Sequence, residues 1–229
     1  MGSPGDETGR FDDEELPHPV TIPEGFWLGR TAVTQEEWRR VMGDNPSYFV
    51  NAGPSAPVEQ VSWDDCQEFV GRLIEKSGRD LYRMPTEEEW EYACRAGTVG
   101  PFYRPVSSYL FENCNTDNPD PPLPELDAIA WWCGNAGDTT HSVGQKIPNA
   151  WGLHDMLGNV WEWAEMGSDA MRMESGKYTS VLPPGALQAI RGGPWYGMPR
   201  CVRCADRHSM SPGFRSSGVG FRIVRCSSP

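Results

Sequence analysis

The chain has 229 residues, 38% of them hydrophobic, and a formal net charge of −12. This length and apolar content predict one domain spanning residues 1–229 around one sizeable core. The acidic charge argues against nucleic acid and anionic membranes as main partners. No apolar run approaches the roughly 20 residues of a membrane span, and no signal peptide is visible. The sequence leaves the compartment open, and cell-surface display would need a segment upstream of Met1.

The predicted elements, in chain order, describe a loop-rich α+β domain, as 25 glycines and 21 prolines suggest. Residues 20–31 predict a strand pair with a bend at Gly25. Helices are expected after the capping residues Thr34, Ser62 and Thr86. A short strand is expected at 81–84, loops over 97–148, a turn and an aromatic strand over 151–163, and a polar surface excursion over 164–189.

Seven cysteines form an odd set in a chain that does not need disulfides for stability: Cys66, Cys94, Cys114, Cys133, Cys201, Cys204 and Cys226. Cysteine is often buried even when it is free. We therefore favour mostly reduced core cysteines, and a secreted disulfide framework stays as the alternative.

The stretch from Arg191 to Arg222 has no hydrophobic period and lies between an RGGPW motif and a GFR motif. Arginines recur through it, and Arg203, Arg207 and Arg222 are expected to pair with the acidic excess and hold irregular backbone in place. Irregular backbone held by a fixed scaffold is typical of a ligand-binding surface.

Several motifs together resemble the formylglycine-generating-enzyme-type sulfatase-modifying domain, a variant of the C-type lectin fold. They are TAVTQEEW at 31–38, PVEQVSWDDC at 57–66, YRMPTEEEWEYACRAG at 82–97, NAWGLHDMLGNVWEW at 149–163, RGG and GFR. The resemblance implies a single mixed α and β domain with little regular secondary structure. It also implies a small antiparallel sheet near the C-terminus.

The enzymes of this family oxidise a substrate cysteine with two copper-holding cysteines that follow the RGG motif. The best-aligned positions here are Gly197 and about Pro199, which carry no thiol. We therefore expect a protein without enzymatic activity or a catalytic cofactor. The alternative is a divergent copper or thiol oxidase that uses Cys201 and Cys204. On a strand, residues three apart point to opposite faces, which disfavours a joint role for this pair.

The C-terminal stretch resembles the variable proteins of diversity-generating retroelements, which share this fold. Arg203, Ala205, Arg207, Pro212 and Arg215 fall in the register of their fixed positions. The presumed variable region is 195–222. The ligand-binding positions expected in it are Trp195, Tyr196, Gly197, Met198, Cys201, Cys204, Asp206, His208, Ser209, Met210, Ser211, Phe214, Ser216, Ser217 and Gly218.

Trp195, Tyr196 and Phe214 supply large contact areas at low entropic cost, while small polar residues vary the hydrogen bonding. The resemblance therefore implies a non-catalytic protein that displays a diversified surface. The expected partner is a protein or a cell-surface ligand. A fixed-specificity binding module on the same fold is a further alternative.

The segment from Asp155 to Glu162 resembles the calcium loop of the family. Asp155 and Glu162 would supply side-chain oxygens, and Gly158 and Val160 would supply carbonyl oxygens, as a hard cation requires. A structural Ca²⁺ is thus expected here. In the alternative, Glu162 pairs with an arginine and the turn needs no ion.

Overall fold

The computed structural model describes residues 1–12, 14–78, 81–106, 114, 123–167, 171–174, 177–180 and 185–226. Its helices are α1 (Gln35–Met42), α2 (Trp63–Ser77), α3 (Glu87–Arg95) and the short α4 (Pro124–Asp127). Its strands are β1 (Phe26–Leu28), β2 (Tyr82–Arg83), β3 (Trp161–Ala164), β4 (Met171–Glu174), β5 (Lys177–Ser180), β6 (Gln188–Arg191), β7 (Arg207–Met210), β8 (Val219–Phe221) and β9 (Val224–Cys226).

The three predicted helix starts are confirmed. Thr34, Ser62 and Thr86 each accept a hydrogen bond from the backbone N–H three residues later, and an acidic side chain at that position bonds back to the cap. This capping box satisfies donors that a helix end leaves unpaired. The predicted loop-like character of 97–148 is also confirmed. In the described part of this segment, the four-residue helix α4 is the one helix or strand present.

The predicted strand pair at 20–31 is wrong. The segment forms one strand, β1, whose partner is β9 at the other end of the chain. Pro23 has no N–H to donate to a ladder, which disfavours a local hairpin there. The expected strand at 81–84 is confirmed as β2, which pairs with the other edge of β9.

Two main sheets organise the domain, in the strand orders β1-β9-β2 and β7-β6-β3-β8. The second is the sheet predicted near the C-terminus, with one difference: β3 and β8 run parallel. Strands β4 and β5 form a separate hairpin within the predicted excursion.

Two apolar clusters fill the core, and the strands of the second sheet contribute to one of them. One surrounds Trp90 and Leu126, and the other surrounds Trp163 and Phe221; all four of these residues are fully buried. No helix in the described part of the chain is long and apolar enough to cross a membrane.

Cysteine usage follows the favoured expectation at five of the seven positions, which are free thiols. Cys66, Cys94 and Cys204 are buried, and Cys201 and Cys226 are half-buried. The remaining two, Cys114 and Cys133, form a disulfide.

Candidate functional site

Two glycines redirect the chain where β6 ends and the predicted variable region begins. Gly192 and Gly193 have φ values of +95° and +81°, which glycine adopts without strain. A Cβ at Gly193 would lie 2.3 Å from the carbonyl oxygen of Cys201. This pair therefore serves both a tight bend and a close backbone approach.

Five arginines of the C-terminal stretch are paired with carboxylates from other parts of the chain, which confirms the structural role predicted for Arg203, Arg207 and Arg222. Arg203 is fully buried and binds Glu7 at 2.6 Å and also Glu14. Further pairs are Arg191 with Glu91, Arg207 with Glu15 and Glu87, Arg215 with Asp65, and Arg222 with Glu162. Charge-assisted bonds of this kind fix backbone that lacks regular hydrogen-bond ladders.

The predicted calcium loop contains the Arg222–Glu162 pair. The Nε and Nη2 atoms of Arg222 donate to the two Glu162 oxygens at 2.6 and 2.7 Å, and the Trp90 indole donates at 2.7 Å. The Gly158 N–H donates to the Gly192 carbonyl at 2.7 Å. At Glu162 the structure therefore has the arginine pair that we gave as the alternative to a calcium ion, and Arg222 neutralises the carboxylate.

Asp155 is the predicted calcium ligand that the arginine leaves available. Its Oδ2 accepts from the Gly144 N–H at 2.6 Å, its buried Oδ1 has no hydrogen-bond partner, and burial raises the pKa of this carboxyl. Among the described residues, no three His, Cys, Asp or Glu side chains gather as a metal site. Calcium bound by Asp155, Gly158, Val160 and Glu162 stays a prediction.

A pocket of about 320 Å³ opens beside β6 and β7 and gathers many of the predicted ligand-binding positions. Its wall is formed by Tyr196, Gly197, Met198, Cys201, His208 and Met210. This size falls within the range of small-ligand pockets. The sequence prediction therefore brings together residues that do share one concave surface.

Three lining residues were not predicted: Trp161 of β3, Ile190 of β6 and Pro194. Trp161 and Ile190 are buried, and the His208 ring lies edge-on to Trp161 with the ring centres 5.1 Å apart. In the sequence, Trp161 and Ile190 stand out only as members of apolar strand motifs. They share this property with ordinary core residues. They form a scaffold-derived floor beneath the walls of the predicted variable region.

The other predicted positions extend this surface. Ser209 and Ser211 are exposed, and Phe214, Ser216 and Ser217 are half-buried. Trp195 is half-buried too, where its indole donates to the Ser217 carbonyl at 3.2 Å. Its ring meets those of Phe49 and Tyr196 edge-on, which fits the role of a rigid anchor.

Three positions do not face a ligand, which corrects the sequence-based expectation. Cys204 and Asp206 are fully buried, and the Cys204 Sγ lies 3.5 Å from the Sγ of Cys94 in the core. Gly218 is buried, and a Cβ there would lie 2.6 Å from the Tyr196 ring. Residues 202–206 are buried as one continuous run, which the motif spacing does not reveal.

Asp206 occupies an unusual environment beneath the pocket. Neither carboxylate oxygen has a hydrogen-bond partner, and burial raises the pKa of Asp206 to about 8 despite the opposing effect of Arg203. The surrounding charged or titratable groups are Arg191, Arg200, Arg203, Glu14 and, at 4.0 Å, His208. The carboxyl is therefore protonated in the folded protein at neutral pH.

Asp206→Asn is expected to gain stability relative to the original protein as the pH rises. An unfolded aspartate ionises near pH 4, whereas folded Asp206 keeps its proton up to about pH 8. Folding therefore loses stability through this window, and an asparagine does not. Urea denaturation gives the unfolding free energies of both proteins near pH 5 and near pH 9. The value for the variant minus the value for the original protein should rise between these two pH values by more than about 1.4 kcal/mol, the value of one pKa unit. A difference independent of pH would contradict this assignment.

Comparison with known proteins places this geometry in a family. Residues 1–227 match the Sulfatase-modifying factor enzyme 1-like domain. The fold is that of a lectin-like, loop-rich α+β scaffold. The chain belongs to the family of sulfatase-modifying factor enzyme 1-like domains.

The names of individual relatives state different activities. The chain is 31% identical to the chaperone protein LppX of Paenibacillus barcinonensis, over 80% of this chain and 81% of that protein. It is 30% identical to the formylglycine-generating enzyme of Streptomyces coelicolor, over 94% and 69% of the two chains. Other relatives are longer, and the chain spans between 24% and 58% of their length.

A solved structure confirms the more specific resemblance. Treponema denticola variable protein 1 superposes with a TM-score of 0.76 at 27% identity, covering 99% of this chain and 91% of that one. The predicted relation to the variable proteins of diversity-generating retroelements is therefore confirmed at the level of fold and family.

Proposed function

We propose that this protein is a non-catalytic binding protein that holds its ligand in the pocket lined by Tyr196, Met198, Cys201, His208 and Met210. The observation that carries the proposal is the pocket's division into two parts. Buried scaffold residues form the floor, while residues from the presumed variable region form the wall. Such a division lets the wall change without loss of the fold.

The ligand chemistry follows from the lining. The floor and wall are largely aromatic, aliphatic and thioether, with the Cys201 thiol and the His208 ring in the wall. Methionines adapt to irregular apolar partners, and interfaces are anchored by large side chains that enter pockets. We infer that the partner, a protein or cell-surface molecule, inserts an apolar group here, while the exposed serines form the polar rim.

Positions that contact the ligand should tolerate substitution, and buried ones should not. Ser209→Tyr and Ser211→Tyr are expected to change the unfolding free energy by less than about 0.5 kcal/mol, because exposed side chains away from special features contribute little. Cys204→Tyr, its buried counterpart, should fail to fold or lose several kcal/mol through overpacking. Urea denaturation of all three checks this, and equal effects at exposed and buried sites would count against the proposed surface.

The second candidate is the copper or thiol oxidase that uses Cys201 and Cys204. The positions aligned with the family's catalytic thiols are Gly197 and about Pro199. Cys201 lines the pocket, whereas Cys204 faces Cys94 in the core. Burial also raises the pKa of Cys201 to about 11, so little of the reactive thiolate is present at neutral pH.

A Cu(I) titration separates the two candidates. The binding proposal predicts that Cys201→Ser/Cys204→Ser takes up the same amount of Cu(I) as the original protein. Stoichiometric copper uptake that is lost in this double variant would favour the oxidase instead. Cys66→Ser, which removes a buried thiol far from the pocket in sequence, is the matched control.

A further inference from the structure

A second groove, of about 660 Å³, runs along β1 and shares no lining residue with the pocket at β6 and β7. One wall is β1 with the segment that precedes it, from Val20. Tyr92 of α3 and Trp151 form the opposite wall, with their rings edge-on and their centres 4.9 Å apart.

The groove exposes aromatic surface that the domain itself does not cover. Trp27, Tyr92 and Trp151 are 63%, 52% and 49% exposed. Single exposed apolar residues are ordinary, but a contiguous set in a concave surface marks an interaction site. Aromatic side chains of this kind are enriched where proteins bind partners.

The backbone of β1 adds a second, independent feature. β1 lies at the end of the β1-β9-β2 sheet, and within the described part of the chain no strand pairs with its other edge. Trp27 is opposite Arg225, and the Gly29 N–H donates to the Ile223 carbonyl at 2.9 Å. Because antiparallel partners alternate, Trp27 and Gly29 direct their backbone groups to β9. Phe26 and Leu28 therefore direct theirs to the free edge.

We propose that this groove binds an extended, basic peptide segment that adds to the sheet as a strand next to β1. Main-chain bonds to Phe26 and Leu28 would provide the strand pairing, as in other cases of strand addition. The aromatic wall of Tyr92 and Trp151 would contact alternate side chains of the peptide.

Charge and shape select this occupant. The net charge of −12 favours a cationic ligand. A second copy of the chain would bring an equal negative charge. It would also bring its own Trp151 wall beside its own β1.

The test uses a phage-displayed library of peptides with alternating apolar and variable residues, panned on the intact protein. The selected peptides should be enriched in lysine and arginine, and synthetic copies should bind with an affinity that falls as salt rises. Trp151→Ala should weaken binding by about tenfold or more, as expected for an aromatic anchor. Leu187→Ala, equally exposed but outside the groove, is the matched control.

Amide hydrogen exchange on the unmodified protein supplies a readout that does not depend on a folded variant. Binding should protect the Phe26 and Leu28 amides, while the Trp27 amide, already bonded to β9, changes little. Several results would overturn the proposal: no library member binds, a copy N-methylated at every residue binds equally well, or the Phe26 and Leu28 amides exchange unchanged. Displacement of the peptide by a neutral glucose oligosaccharide such as cellohexaose would overturn the proposal too, because this result would identify the groove as a sugar-binding site.

Discussion

Arg203→Ala is expected to lower the free energy of unfolding by about 3–5 kcal/mol, the cost of breaking a buried ion pair from one side. Arg203 is fully buried and holds Glu7 and Glu14 of the N-terminal segment against the C-terminal stretch. Its removal leaves two carboxylates in a site with little water and frees the N-terminal segment. Urea denaturation measures the effect.

Arg215→Ala is the matched control in the same stretch. Arg215 pairs with Asp65 at 2.8 Å, but its side chain is 47% exposed. An exposed pair of this kind contributes less than about 1 kcal/mol. If the two variants lost similar stability, the arginines would not hold the stretch through buried pairing.

Gly193→Ala is expected to destabilise the protein by about 3 kcal/mol or more, because it combines backbone strain with steric overlap. The residue has a φ of +81°, and a Cβ would lie 2.3 Å from the Cys201 carbonyl and 2.7 Å from a Val202 methyl. The short 3₁₀ turn Pro199–Val202 would have to move, and with it the Cys201 wall of the pocket. Thermal unfolding and near-UV circular dichroism would report both effects.

Gly213→Ala provides the comparison for this variant. Gly213 lies in the same predicted variable region, its φ is not positive, and no atom lies within 4 Å of a Cβ built there. Its unfolding free energy should stay within about 0.5 kcal/mol of the original protein. A large loss at both glycines would mean that general flexibility, and not the close approach at Gly193, governs this region.

The sequence predicted features whose causes are local. The helix starts at Thr34, Ser62 and Thr86 could be predicted because a capping box lies within four consecutive residues. The family could be predicted because its motifs occur in order along nearly the whole chain. The register of the C-terminal motifs also indicated Tyr196, Met198, His208 and Met210, which line one pocket; that they bind a ligand stays a prediction.

Features set by distant contacts could not be predicted in the same way. The partner of β1 lies about 200 residues away in β9, and the carboxylates that hold Arg203 come from the first 14 residues. The arginines could be expected to find acidic partners, but not particular ones. The burial of Asp206 and Cys204 depends on how the backbone turns between the 3₁₀ turn Pro199–Val202 and β7, which no periodicity records.

Deep sequencing of codons 191–222 in a growing population of the source cells tests the central claim most directly. We predict substitutions concentrated at the positions that line the pocket or its rim: Tyr196, Met198, Cys201, His208, Ser209, Met210 and Ser211. Codons for Gly193, Arg203, Arg207 and the buried Cys204 and Asp206 should stay fixed. A stretch that is invariant across the population, or substitutions spread equally over buried and exposed codons, would contradict a diversified binding surface.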